Sequence, residues 1–165
     1  MYFILTSTFV VSAQTTITSQ VSSGKYDAEE RLSSRNMGLT SSDLEITSDG
    51  SNNQFIGIRF QNIKTPRGTT ILSASIQFTT DETNSGGTSV TIRGHDTDNV
   101  GIFTTTNSDI SNRTLTTASA SWNSIPAWNT ADQAGANQQT PDLNSIVQEI
   151  VNRGVDQWQL RGLCN

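Results

Sequence analysis

The side chains that could do chemistry are few in kind: 15 Asp and Glu, 10 Lys and Arg, and a single histidine. That histidine, His95, sits in Arg93-Gly94-His95-Asp96-Thr97-Asp98. One histidine cannot supply a three-ligand zinc site, and no HExxH, GxSxG, phosphate-binding loop or GxGxxG accompanies it. Paired carboxylates are more plentiful. Asp27, Glu29, Glu30, Asp43, Glu45, Asp81 and Glu82 could supply the acid and base of a polysaccharide hydrolase, which needs two carboxyls about 5 to 9.5 Å apart. Their number against a small core suits ion binding better. Calcium takes about six to eight hard oxygens from carboxylates and carbonyls, and Tyr26-Asp27-Ala28-Glu29-Glu30 offers them, so Asp27, Glu29 and Glu30 are the candidate ligands of a structural Ca²⁺, with a plain acidic surface as the competing reading. Asp96-Thr97-Asp98-Asn99 is a second such cluster, although the same string is an equally good β-turn.

Aromatic residues are the other source of a site. Ser121-Trp122-Asn123-Ser124-Ile125-Pro126-Ala127-Trp128-Asn129 places two indoles beside amides. A flat indole packs against the C–H face of a sugar ring while neighbouring amides bond its hydroxyls, which makes Trp122, Trp128, Asn123 and Asn129 the candidate carbohydrate-binding residues. The competing reading is core packing of both tryptophans in a structural or adhesive cell-surface domain with no sugar site. Asn112-Arg113-Thr114 is a glycosylation sequon.

Composition narrows the partners. The chain has 165 residues, 33% of them apolar, room for one ordinary domain. Charged residues are 15%, against about 25% in an average domain, and Ser, Thr, Asn and Gln replace them. The formal charge of -5 leaves no basic surface for a run of phosphates, so nucleic acid is not an expected partner. Cys164 is the only cysteine, which excludes an internal disulfide and a thiolate metal cage. Residues 1–13 read as a signal peptide: MYFILTSTFVV is too short to span a bilayer, and Ser12-Ala13 supplies small residues before a cleavage site at Gln14. No later run is long enough to cross a membrane, and the product is expected to be secreted or at the cell surface.

These side chains must be held by short strands. Period-two alternation separated by turn residues runs from Gln14 to Gly94. Leu44 and Ile46 face inward, and Ile56, Ile58 and Phe60 share one side of a strand whose other side carries Phe55 and Arg59. Leu72, Ala74, Ile76 and Phe78 line one face of the most regular strand, and Val90 and Ile92 point inward after it. Strand follows strand without intervening helices, which excludes a parallel βαβ sheet and predicts an all-β fold: an antiparallel, jelly-roll-like β-sandwich. One short late helix interrupts the pattern. Thr140 is placed as its cap, Pro141 at its first position, and Leu143, Ile146, Val147, Ile150 and Val151 as its buried stripe, leaving Gln148, Glu149 and Asn152 on a solvated face. Beyond Gly154 there is room for one short strand, so residues 14–165 are expected to be a single domain lacking C-terminal strands.

Several segments resemble, in order, the extracellular bacterial β-sandwich modules typified by DNRLRE-type carbohydrate-binding domains. They are Asp27-Ala28-Glu29-Glu30, Ser41-Ser42-Asp43-Leu44-Glu45-Ile46, Gly57-Ile58-Arg59-Phe60, Ile76-Gln77-Phe78-Thr79-Thr80-Asp81-Glu82-Thr83, Thr91-Ile92-Arg93-Gly94, Ala120-Ser121-Trp122, and Thr140-Pro141-Asp142-Leu143 leading into Gln148-Glu149-Ile150-Val151-Asn152-Arg153. The DNRLRE string itself is absent. The resemblance implies a non-catalytic accessory domain, part of a longer secreted or surface protein, that binds polysaccharide or a cell-surface glycan. It carries over no catalytic residue.

Overall fold

The computed structural model describes residues 13–153 apart from Thr47 and Asn99, together with the backbone of Trp158–Cys164. The leader reading of residues 1–12 lies outside the described residues. Seven strands form: β1 Asp27–Arg31, β2 Met37–Gly38, β3 Ser48–Asp49, β4 Asn52–Phe60, β5 Thr88–His95, β6 Leu115–Ile125 and β7 Trp158–Cys164. One helix, α1, spans Asn144–Arg153. Every strand pair is antiparallel, in the order β2-β1-β4-β7-β5-β6, and β3 pairs separately with the start of β4. The chain is therefore a mixed fold of two antiparallel sheets and one short helix. No helix among the described residues is long and apolar enough to cross a membrane.

The alternation of β4 is realised on both sides of the sheet. Ile56 and Ile58 are buried on the face that also presents Val90 and Ile92 of β5, while Phe55 and Arg59 are buried on the other. The first face meets α1 through Leu143, Ile146, Val147, Ile150 and Val151, all 3% exposed or less, which is the stripe read from the sequence. The second face is covered by a turn-rich segment around Phe103 and Ile110, which packs with Ala28 and Phe55. Gly57 makes that cover possible: a Cβ there would run into the Phe103 ring.

Three expectations are corrected. The stretch expected as the most regular strand, residues 71–78, forms a single bridge, Gln77 to Gln139, rather than a ladder. It lies extended over the core, with Ala74, Ile76 and Phe78 facing in, but Ile71 takes the inward role expected of Leu72, which is 61% exposed. Its outward amides bond side chains: Ala74 N–H donates to Asp142 Oδ1 (2.9 Å) and Ile76 N–H to Thr140 Oγ1 (3.0 Å). Thr140 therefore caps the extended segment and not the helix. The helix begins after Leu143, whose carbonyl accepts from Val147 N–H at 3.0 Å, while Asp142 Oδ1 accepts from Asn144 N–H at 3.0 Å.

The polar side of α1, with Gln148 and Glu149 half-buried and Asn152 exposed, also bonds neighbouring segments. Glu149 accepts the N–H groups of Thr117 and Ala118, both at 2.8 Å. Gln148 accepts from Ile71 N–H (2.8 Å) and donates to the Thr69 carbonyl (2.9 Å), and the Asn152 carbonyl accepts from Arg67 Nε at 2.9 Å. The strand after the helix is an inner one: β7 pairs with β4 on one side and β5 on the other.

Candidate functional site

The most perturbed ionisable group lies where β1, β4 and the segment before β3 meet. Alternation along β1 turns Asp27 and Glu29 to one face and Ala28 and Glu30 to the other. Glu29 Oε1 accepts from the Glu45 backbone N–H and from Gln54 Nε2, both at 3.0 Å. The same Gln54 nitrogen reaches Glu45 Oε2 and the Glu45 carbonyl, both at 3.3 Å. Gln54 is 2% exposed, so these contacts replace its hydration. Burial pushes the Glu29 carboxyl up to about 8; a hydrogen bond with the Glu45 side chain and the charges of Glu45 and Asp43 add to the rise, against the lowering effect of the Glu45 N–H. At neutral pH the pair therefore retains a proton. Asp27 is also raised, by burial, with a backbone hydrogen bond opposing.

Glu30 performs a different task on the opposite face. Its side chain is fully buried, and Oε2 accepts from the N–H groups of Ile110 (2.9 Å) and Ser111 (2.7 Å), while Oε1 meets Arg35 at 3.4 Å. The carboxylate anchors the Phe103–Ile110 cover to the sheet. Asp109 braces the same cover through Thr104 N–H (2.7 Å) and Arg113 (3.1 Å), and that guanidinium lies 4.6 Å over the Phe103 ring.

The three expected calcium ligands are thus not brought together. Asp27 and Glu29 share a face, whereas Glu30 points through the sheet and directs its oxygens at backbone amides and Arg35. They fall on a strand rather than a turn, and a strand sends adjacent side chains apart. Among the described residues no group of three His, Cys, Asp or Glu side chains is placed to hold a metal ion. In the second acidic cluster, Asp96 and Asp98 both bind Arg153, at 2.7 and 2.8 Å.

The indoles do come together, but with Phe78 and against the core. Ring centroids of Phe78 and Trp122 are 5.9 Å apart at 19°, Phe78 and Trp128 6.2 Å at 39°, and Trp122 and Trp128 6.3 Å at 46°. Trp128 exposes 9% of its surface and donates Nε1–H to the Asn137 carbonyl at 3.1 Å; Trp122 is half-buried on the same cluster. Asn123 and Asn129 are exposed, and Asn123, next to Trp122 on β6, points to the opposite face.

Four residues important to this arrangement escaped the sequence reading. Phe78 was read as core but not as the third ring. Gln54 was detectable as a polar residue in phase with Ile56 and Ile58. Glu45 was one of many acids, and Glu149 had no local signal because its partners lie on a distant strand. No family model matches the chain, and comparison with curated proteins and with solved structures finds no match.

Proposed function

We propose that this chain is a non-catalytic module of a secreted or cell-surface protein, a jelly-roll-like β-sandwich whose second layer is the extended pair of segments 71–80 and 128–143, and that it acts as a structural and adhesive unit. The observation that carries this reading is the Phe78–Trp122–Trp128 trio. The two tryptophans that would have formed a flat sugar platform are tilted against one another and packed on the core. Their apolar area supports the two layers rather than a ligand.

A second reading, glycan binding, draws on a different surface. Ser119, Ser121 and Asn123 are exposed together on the outer face of β6, beside Thr91 of β5, and present hydroxyls and an amide with no carboxylate among them. Retention on insoluble polysaccharides and on a glycan array separates the two. The structural reading expects no retention, and a fall in melting temperature for Trp122→Phe and Trp128→Phe. Retention that Asn123→Ala abolishes at unchanged melting temperature would establish the glycan reading instead.

A further inference from the structure

The main sheet has two edges of unequal length. One ends in β2, two residues long, and the other in β6, which runs for 11 residues as LTTASASWNSI, with neither charge nor proline. A bare strand edge templates pairing with another chain unless it is short, charged, kinked or covered.

Two hydrogen bonds decide which groups of β6 face outward. Gly94 N–H donates to Thr116 Oγ1 at 2.9 Å, and Asp96 N–H to the Thr114 carbonyl at 2.8 Å, so Gly94 and Asp96 address β6. Antiparallel alternation then assigns Ile92 and Val90 the hydrogen bonds with Ala120 and Trp122, their register partners. The N–H and C=O groups of Ser119, Ser121 and Asn123 consequently lie on the open edge. Among the described residues no hydrogen bond reaches them. Protection lies at the two ends: Glu149 takes the Thr117 and Ala118 N–H groups at one, and at the other the ladder is irregular where Ser124, at φ 53°, gives its N–H to Ser89 Oγ, which leaves Ser119 to Asn123 as the open stretch.

We propose that this edge pairs with the same edge of a second copy, antiparallel about a two-fold axis at Ser121. Ser119 then faces Asn123 of the other copy and Ser121 faces itself, which closes about six backbone hydrogen bonds. Glu149 ends the ladder on each side by occupying the next outward N–H, that of Thr117. The match is electrostatically self-consistent. A chain of charge -5 repels its copy over most of its surface, but β6 brings no charge to an axis where Ser121 meets Ser121 and Ser119 meets Asn123. On the outer face serine hydroxyls meet serine and asparagine, and on the inner face small Ala120 stands beside Trp122 of the other copy.

The pairing is readable by sedimentation velocity between about 10 μM and 1 mM, since a contact of one strand pair is well below the area of a tight dimer. The intact chain is expected to show a concentration-dependent dimer. Ser121→Lys and Ser121→Glu, each on an exposed side chain, place like charges on the axis and should weaken it at least about fivefold with the melting temperature unchanged. An equimolar mixture of the two variants should restore the dimer, because opposite charges then meet. A monomer over the whole range, a dimer indifferent to charge at Ser121, or a mixture no better than either variant alone would each overturn the proposal.

Discussion

Replacing Glu30 tests the most deeply placed polar contact in the fold. The side chain has no exposure, and its carboxylate accepts two backbone N–H groups, from Ile110 and Ser111. Hydrogen bonds to a charged partner contribute about 1.5 to 3 kcal/mol each, and a buried donor left without one loses its hydration as well. Arg35 is 46% exposed and adds little, because water screens an open ion pair. Glu30→Ala should therefore cost about 3 to 5 kcal/mol, a large share of the roughly 5 to 15 kcal/mol that holds a domain of this size. Glu30→Gln keeps the shape and one acceptor oxygen and should cost about 1 to 2 kcal/mol. Urea unfolding followed by tryptophan fluorescence gives both values, and hydrogen exchange locates them. The amides of Ile110 and Ser111 should lose protection in the alanine variant before those of β5 and β6. A loss below about 1 kcal/mol for Glu30→Ala, with exchange at Ile110 and Ser111 unchanged, would show that the carboxylate does not anchor the cover.

Four further outcomes follow from the same contacts. Glu29 is raised from 4.5 to about 8 in the folded chain, so the folded state holds a proton that the unfolded state releases; stability is greatest below about pH 4.5 and falls as pH rises towards 8. Glu29 is partly open to water, and screening limits the loss to about 1 to 2 kcal/mol; melting temperatures of the intact chain and of Glu29→Gln between pH 5 and 9 should lie closest at the acid end and diverge as pH rises, the intact chain falling relative to the variant. Gly57→Ala puts a methyl against the Phe103 ring and 3.2 Å from Ile110 Cδ1, and should destabilise by about 2 to 3 kcal/mol in urea. Trp128→Ala removes a ring that is 9% exposed and packs against both Phe78 and Trp122, with an expected cost of about 3 to 5 kcal/mol in the same assay. Calcium or EDTA should leave the melting temperature unchanged, because Glu30 faces away from Asp27 and Glu29; a rise on adding calcium would show a site built from other groups.

What the sequence made legible was what local period determines. Ile56, Ile58 and Phe55 fall on the faces their alternation assigns, and the stripe Leu143, Ile146, Val147, Ile150, Val151 is buried as spaced. The extended segment 71–80 shows why period alone overstates structure. Ala74, Ile76 and Phe78 alternate like a strand because they line a core, but only Phe78 N–H finds a backbone carbonyl, that of Gln138, while Asp142 and Thr140 side chains accept from Ala74 and Ile76. The calcium cluster and the indole pair failed in a common way. Adjacent acids on β1 diverge to opposite faces, and two tryptophans six apart converge with Phe78, far away in sequence, on the core. The Phe103–Ile110 cover had no signal at all, since its attachment to Glu30 joins residues 80 apart.

Several acids of this chain are committed to backbone donors. At several places where backbone amides lack a strand or helix partner an acid supplies the acceptor: Glu30 under the Ile110 turn, Asp142 beside Ala74, Glu149 at the edge of β6, and Asp109 at Thr104; Thr140 and Gln148 do the same for Ile76 and Ile71. Acids committed to amide donors are poor candidates for a hard cation, which would have to displace those bonds and leave the donors orphaned. The Glu29–Glu45 pair departs from this scheme. Two carboxyls and a carbonyl converge there on one side-chain amide nitrogen and one backbone N–H, so acceptors outnumber donors, and the missing donor is a proton. Burial raises Glu29 first, and this excess of acceptors over donors adds to the rise. Glu45→Gln, which supplies a donor in place of the proton and removes the neighbouring charge, should lessen the pH dependence of stability without abolishing it, since burial of Glu29 remains, whereas Glu29→Gln removes it. A variant that kept the full slope would place its origin outside the pair.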